Sequence, residues 1–171
     1  MDKLAKRLDV CANIAIILVA IAVAGLLITR VMRRTGADTA SKVTGISTGA
    51  KVSLPNMDWS DNGNTLLFAL AKGCHFCSES APFYRRILKE VSSRNDLKVV
   101  AVVPGDENEG RTYLGELGLS IADVRKVSME EIGVPGTPTL ILVNSSGIAT
   151  AVWIGKLSPE SEAEVFGKLK I

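Results

Sequence analysis

Leu66-Leu67-Phe68-Ala69-Leu70-Ala71-Lys72-Gly73-Cys74-His75-Phe76-Cys77 is the stretch that decides how the rest of the chain is read. Its first six residues form an unbroken apolar run, the composition of a buried strand. Beyond the second cysteine, Phe83, Ile87 and Val91 recur every four residues with Tyr84 and Leu88 beside them, which is one face of a helix. The two cysteines therefore stand at a strand-to-helix turn, with Cys74 at or just before the first helical turn. Unpaired N–H groups and the positive end of the helix dipole point at that sulfur. They favour a thiolate, the form that attacks a disulfide. Cys77, in the same turn, is within reach to close a disulfide with Cys74 and release a bound partner. The spacing suits dithiol–disulfide exchange.

Two rival readings of the pair are weaker. A closed zinc site needs four ligands. The chain has three cysteines and one histidine, and that histidine, His75, lies inside the motif. No metal site is expected. A purely structural disulfide around so short a loop removes little chain entropy.

The formal net charge of +2 gives no reason to invoke nucleic acid. The hydrophobic residues, 47% of the chain, are spread unevenly. Residues 10–29 carry no charge, and a helix of that length spans about 30 Å, the thickness of a bilayer core. Lys3, Lys6 and Arg7 precede the segment, and Arg30, Arg33 and Arg34 follow it. A cleaved signal peptide would have a shorter apolar region and small residues behind it. A buried core helix would not be apolar on every face. The segment is expected to be a transmembrane anchor after a short flank, residues 1–9. Charge does not fix its orientation, since the basic residues balance. Disulfide chemistry places the soluble part outside the cytoplasm, in a periplasm or its equivalent, by association alone.

Residues 30–50 read as a basic flank and a flexible linker rich in Gly, Ser, Thr and Ala. Residues 51–171 are the size of one domain. In it, residues 66–71, 97–103, 139–143 and 148–154 are expected strands, and Asn144-Ser145-Ser146-Gly147 a hairpin turn. Helices are expected from the cysteines to about Arg94, over residues 108–117, and from Ser158-Pro159-Glu160. Ser128-Met129-Glu130-Glu131 has capping-box spacing. Asp106-Glu107-Asn108-Glu109 reads as an acidic helix cap, and Trp59 and Trp153 as packing residues. The alternation gives an α/β sandwich.

These elements, with three motifs, resemble the thioredoxin-like superfamily over about residues 51–171. The motifs are Cys74-His75-Phe76-Cys77 at the turn, Pro82 five residues past the second cysteine, and Gly136-Thr137-Pro138-Thr139 opening a strand. The longer segment before Pro138 is similar to the TlpA-like or redoxin branch of membrane-tethered reductases. The resemblance implies a three-layer sandwich, a central mixed sheet with helices on both faces. It also implies a cis Pro138 beside the cysteines and a backbone at Thr137 that pairs with an extended substrate. Departures are equally plain. Lys72-Gly73 stands where a tryptophan commonly precedes the first cysteine, Phe68 where thioredoxin has a buried acid, and Ser80 where several TlpA-like reductases have glutamate.

The expected chemistry is attack of the Cys74 thiolate on a substrate disulfide, with Cys77 resolving the mixed disulfide. His75 and Phe76 are expected to tune the couple, and Thr137 and Pro138 to bind substrate. Glu79 is a candidate base for Cys77, though a solvated acid is the plainer reading. Thr137 before the proline is similar to the reductase and isomerase branches, a resemblance that tilts the direction to reduction, with a disulfide-forming oxidase second. A redoxin-type peroxidase would want threonine where Ala71 stands. A non-catalytic assembly adaptor is the remaining alternative. No phosphate loop, dinucleotide fingerprint or haem attachment sequence is present. No cofactor is therefore expected, and the partners are protein disulfides or thiols, the lipid bilayer and a membrane electron-transfer protein.

Overall fold

A computed structural model describes residues 45–60 and 63–170. The expected anchor at residues 10–29 lies outside them. Among the described residues no helix is long and apolar enough to cross a membrane.

The chain runs β1 (Asn64–Ala69), α1 (His75–Val91), β2 (Leu97–Val103), α2 (Glu107–Glu116), β3 (Asp123–Lys126), β4 (Thr139–Val143), β5 (Ala149–Ile154) and α3 (Pro159–Leu169). The five strands form one sheet in the order β3-β2-β1-β4-β5. β1, β2 and β3 are mutually parallel, and β4 and β5 run antiparallel to their neighbours. β1 is central, which is why its sequence is apolar without alternation. Leu66 and Phe68 point into one core and Leu67 and Ala69 into the other, all fully buried.

The two faces differ in kind. Buried residues of all three helices (Tyr84 and Ile87 of α1, Tyr113 and Leu114 of α2, Val165 and Leu169 of α3) belong to a single core with Leu66 and Phe68. The opposite face is covered by Ile46, Val52, Leu54, Val127, Ile132 and Val134, none of them in a helix. The expectation of helices on both faces is thus corrected among the described residues. β1 to β2 and β2 to β3 are successive parallel crossovers stepping in the same direction, so one handedness lays α1 and α2 on one face. The return to β4 is broken by Gly133, at φ +64°, and then by Pro135. Only a turn forms there. Ser128 Oγ accepts from the Glu131 N–H at 3.2 Å, and Glu131 Oε2 from the Ser128 N–H at 3.0 Å, a complete capping box without its helix.

Other boundaries move slightly. α1 stops at Val91, where the Ser92 hydroxyl donates to the Lys89 carbonyl at 2.8 Å. The strand β3 was not expected, because Asp-Val-Arg-Lys has no strand pattern; pairing with β2 makes it one. The packed domain also begins before Lys51. Ile46 is buried and donates its N–H to the Gly133 carbonyl, and the N–H of Gly49 bonds the Ala149 carbonyl at 2.8 Å. Residues 46–50, read as linker, are therefore part of the fold.

The caps follow the sequence. Asp106 accepts from the N–H groups of Asn108 and Glu109 at 2.8 and 3.3 Å, and Ser158 from that of Ser161 at 3.3 Å. Trp153 is buried, and Trp59 lies against Gly147 in the hairpin turn.

Candidate active site

At the end of β1 the chain turns through Lys72 and Gly73, the latter at φ +79°, and the Cys74 N–H closes the turn on the Ala71 carbonyl at 3.1 Å. Cys74 is then the N-cap of α1. Its Sγ accepts the Cys77 N–H at 3.2 Å, and its carbonyl accepts the N–H groups of Cys77 and Ser78 at 3.1 and 3.3 Å. No acidic residue occupies the first turn of α1 to oppose a negative sulfur. In the dithiol form this cap donates to a Cys74 thiolate. Cys74 and Cys77 form a disulfide, with their Cα atoms 5.2 Å apart. The sulfurs are unequal: Cys74 is half-buried, and Cys77 is fully buried beneath it. Of the two sulfur-bearing residues, Cys74 is the more open to solvent.

The Thr137–Pro138 peptide bond is cis, and the loop that carries it closes over the cysteines. The Thr137 carbonyl oxygen lies 3.3 Å from Cys74 Sγ. Two bonds hold the loop: Thr139 Oγ1 donates to the Gly136 carbonyl at 2.7 Å, and the Gly155 N–H to the Pro138 carbonyl at 2.7 Å. The structure thus brings Cys74, Cys77, Thr137 and Pro138 together, although 63 residues separate Cys74 from Thr137.

His75 and Phe76 project outward. The His75 side chain is 77% exposed, and Phe76, at 53%, is an exposed apolar ring beside the sulfurs. His75 Nε2 is 3.2 Å from Glu79 Oε1, while Glu79 Oε2 accepts from Lys156 Nζ at 3.0 Å. The Lys156 ammonium, more than His75, holds the Glu79 carboxyl below the usual carboxylate range. Glu79 is therefore an ion-paired surface acid and a poor proton acceptor for Cys77. Lys156 was missed from sequence, since nothing local marks a residue 77 positions away as a partner. Phe68, in place of a buried acid, packs edge-on against Tyr84, ring centroids 5.3 Å apart. Among the described residues no group of His, Cys, Asp and Glu is placed to hold a metal ion.

Solved structures share this fold. A protein from Chlorobium tepidum assigned as the thiol:disulfide interchange protein DsbE superposes with a TM-score of 0.59 at 18% identity, over 74% of this chain and 97% of its own. The thioredoxin domain of a thiol-disulfide oxidoreductase from Bacteroides vulgatus gives 0.56 at 15%, over 73% and 99%. This domain has the thioredoxin-like fold. A thiol:disulfide interchange protein from a Bacteroides species matches the thioredoxin-like domain at 0.54 and 12%, over 75% of this chain and 93% of its own. No protein-family model and no curated protein matches the sequence. The likeness is one of fold, and this domain carries a CxxC pair of its own at Cys74 and Cys77.

Proposed function

We propose that this chain is a membrane-tethered thiol–disulfide oxidoreductase that reduces protein disulfides through Cys74 and Cys77. One observation carries the reading: a half-exposed Cys74 caps α1, bonded to a fully buried Cys77 and beside the Thr137 carbonyl. The exposed sulfur attacks a substrate disulfide, and the buried one waits within bonding distance to resolve the intermediate. Thr137 offers its backbone to an extended substrate segment, and Phe76 offers an apolar contact.

The direction rests on the resemblance: Glu79, 3.2 Å from the His75 imidazole, is itself ion-paired with Lys156 at 3.0 Å, so it leaves no spare negative charge beside the cysteines. An anchor at residues 10–29 would hold the domain at a membrane, and dithiol–disulfide chemistry favours the extracytoplasmic side. There an electron-transfer protein in the membrane resupplies the dithiol, since the chain has no cofactor sequence of its own. The test is the reduction potential of the full detergent-solubilised chain, equilibrated with glutathione. A value near or below about −250 mV supports a reductant, and one near about −120 mV reverses the direction to oxidase. Absence of a reversible couple leaves the adaptor reading in its place.

A further inference from the structure

Glu79 is the first carboxylate along α1, since the opening turn of the helix holds no acid. A negative charge there works against a Cys74 thiolate: the reduced couple carries that thiolate, and the disulfide carries no charge. From Cys74 to Glu79 the helix rises about 7.5 Å, and a unit charge at about that distance, screened as in water, shifts an equilibrium about two- to threefold. The structure sets a cation against this charge. Lys156 Nζ donates to Glu79 Oε2 at 3.0 Å, and His75 Nε2 is 3.2 Å from the other oxygen. The side chains of Lys156 and Glu79 are 51% and 35% exposed, and a pair so open to solvent adds little to stability. Its position matters more. Lys156 follows Gly155, whose N–H holds the Pro138 carbonyl at 2.7 Å. The ammonium thus reaches the cysteine helix from the strand end that supports the cis-proline loop.

We propose that Lys156 sets the redox poise of the Cys74–Cys77 couple through Glu79, as a positioning residue whose ammonium cancels the first carboxylate of the cysteine helix. The inference rests on the dithiol reading of that pair. When glutathione reduces the couple, two glutathione thiols supply two electrons and two protons. The Cys74–Cys77 bond breaks and one glutathione disulfide bond forms. One proton stays on Cys77, and the other goes to solvent where Cys74 remains a thiolate.

The two partners therefore have opposite effects. Without Lys156, the bare Glu79 charge favours the disulfide and the chain is the stronger reductant. Without Glu79, the bare ammonium favours the dithiol and the chain is the weaker one. Without both, the charges cancel as they do in the parent. A pair that merely clasped the helix to the loop would behave otherwise, because all three variants lack the same bond and would share one defect. Other charges stay constant across the set: Lys72 is exposed in the turn before Cys74, and Glu162 of α3 lies 3.3 Å from Arg86.

The detergent-solubilised full chain, carrying Cys11→Ser throughout, is equilibrated with glutathione at neutral pH, and its reduced fraction is read by alkylation. Lys156→Gln is expected to move the equilibrium about two- to threefold toward the disulfide, and Glu79→Gln by a similar factor toward the dithiol. The double variant and Lys156→Arg are expected to match the parent. In 1 M salt, where the screening length is about 3 Å, the variants should converge. Single variants that shift in the same direction, or do not shift, overturn the role of Lys156 and leave the dithiol reading intact. Shifts undiminished in 1 M salt do the same. A parent with no reversible couple overturns the dithiol reading and this inference with it.

Discussion

Replacing either of two glycines in α2 by alanine should move stability in opposite directions. Gly110 lies where the helix presses on β2, and a Cβ built there would stand 2.8 Å from Val103 Cγ2 and 3.2 Å from Cγ1. Val103 is 3% exposed and β-branched, so it has little freedom to turn aside. Overpacking of this kind costs about 1–3 kcal/mol, against a gain of about 1 kcal/mol in helix propensity. Gly110→Ala should therefore destabilise by up to about 2 kcal/mol. Gly115, five residues on and exposed, has nothing within 4 Å of its built Cβ. There the propensity acts alone, and Gly115→Ala should stabilise by about 0.5–1 kcal/mol. The unfolded chain gains the same restriction from either change, so the difference of about 2 kcal/mol reports the contact itself. Urea unfolding of both variants measures it, and the thermal midpoints should separate by about 4–8 °C. Adding Val103→Ala to Gly110→Ala should show favourable coupling. A Gly110→Ala variant as stable as Gly115→Ala would refute the close approach of α2 to β2.

Three further outcomes are expected. Cys77→Ser should accumulate mixed disulfides through Cys74, visible on non-reducing gels. A trap of equal yield in Cys74→Ser would reverse the assignment of nucleophile. The Glu79 carboxyl should titrate below the usual carboxylate range by carbon NMR, and Lys156→Gln should raise its midpoint. Because the folded value is depressed, the ion pair's contribution is present above the unfolded carboxyl's range and is lost as pH falls through the folded one. An unmoved midpoint in Lys156→Gln would remove Lys156 as the cause. Asn144→Ala should cost about 1–2 kcal/mol, because Asn144 Oδ1 accepts the N–H groups of Ser146 and Ile148, both at 3.0 Å. A loss below about 0.5 kcal/mol would mean the Gly147 N–H bond to the Asn144 carbonyl carries the turn by itself.

What the sequence revealed followed from local chemistry. β2 and β4 match their expected spans because continuous Val, Leu and Ile runs suit strands buried on both faces. The caps at Asp106 and Ser158 are short-range signals, and so is the Cys74 turn. What escaped depends on partners far along the chain. β3 is a strand because Val100 to Val103 lie beside it, not because of its own residues. Lys156 meets Glu79 only through the loop after β5. Residues 46–50 looked like a linker, because Gly, Ser and Thr composition does not tell that Ile46 fills a hole beside Gly133. The site followed the same division. The cysteine pair was readable from its turn, whereas the full burial of Cys77 emerges only when α1 is laid on β1.

The non-helical face has a mechanical consequence. The segment that enters the domain at residue 45 is bonded first to Gly133, then to Ala149, and at Val52 to Gly147. Gly133 belongs to the same loop as Thr137, four residues further on, whose carbonyl touches Cys74. A pull on residue 45 thus loads the cis-proline loop before it loads the helical core. The entering segment and the loop against Cys74 are coupled in series, so tension along the one is felt at the other.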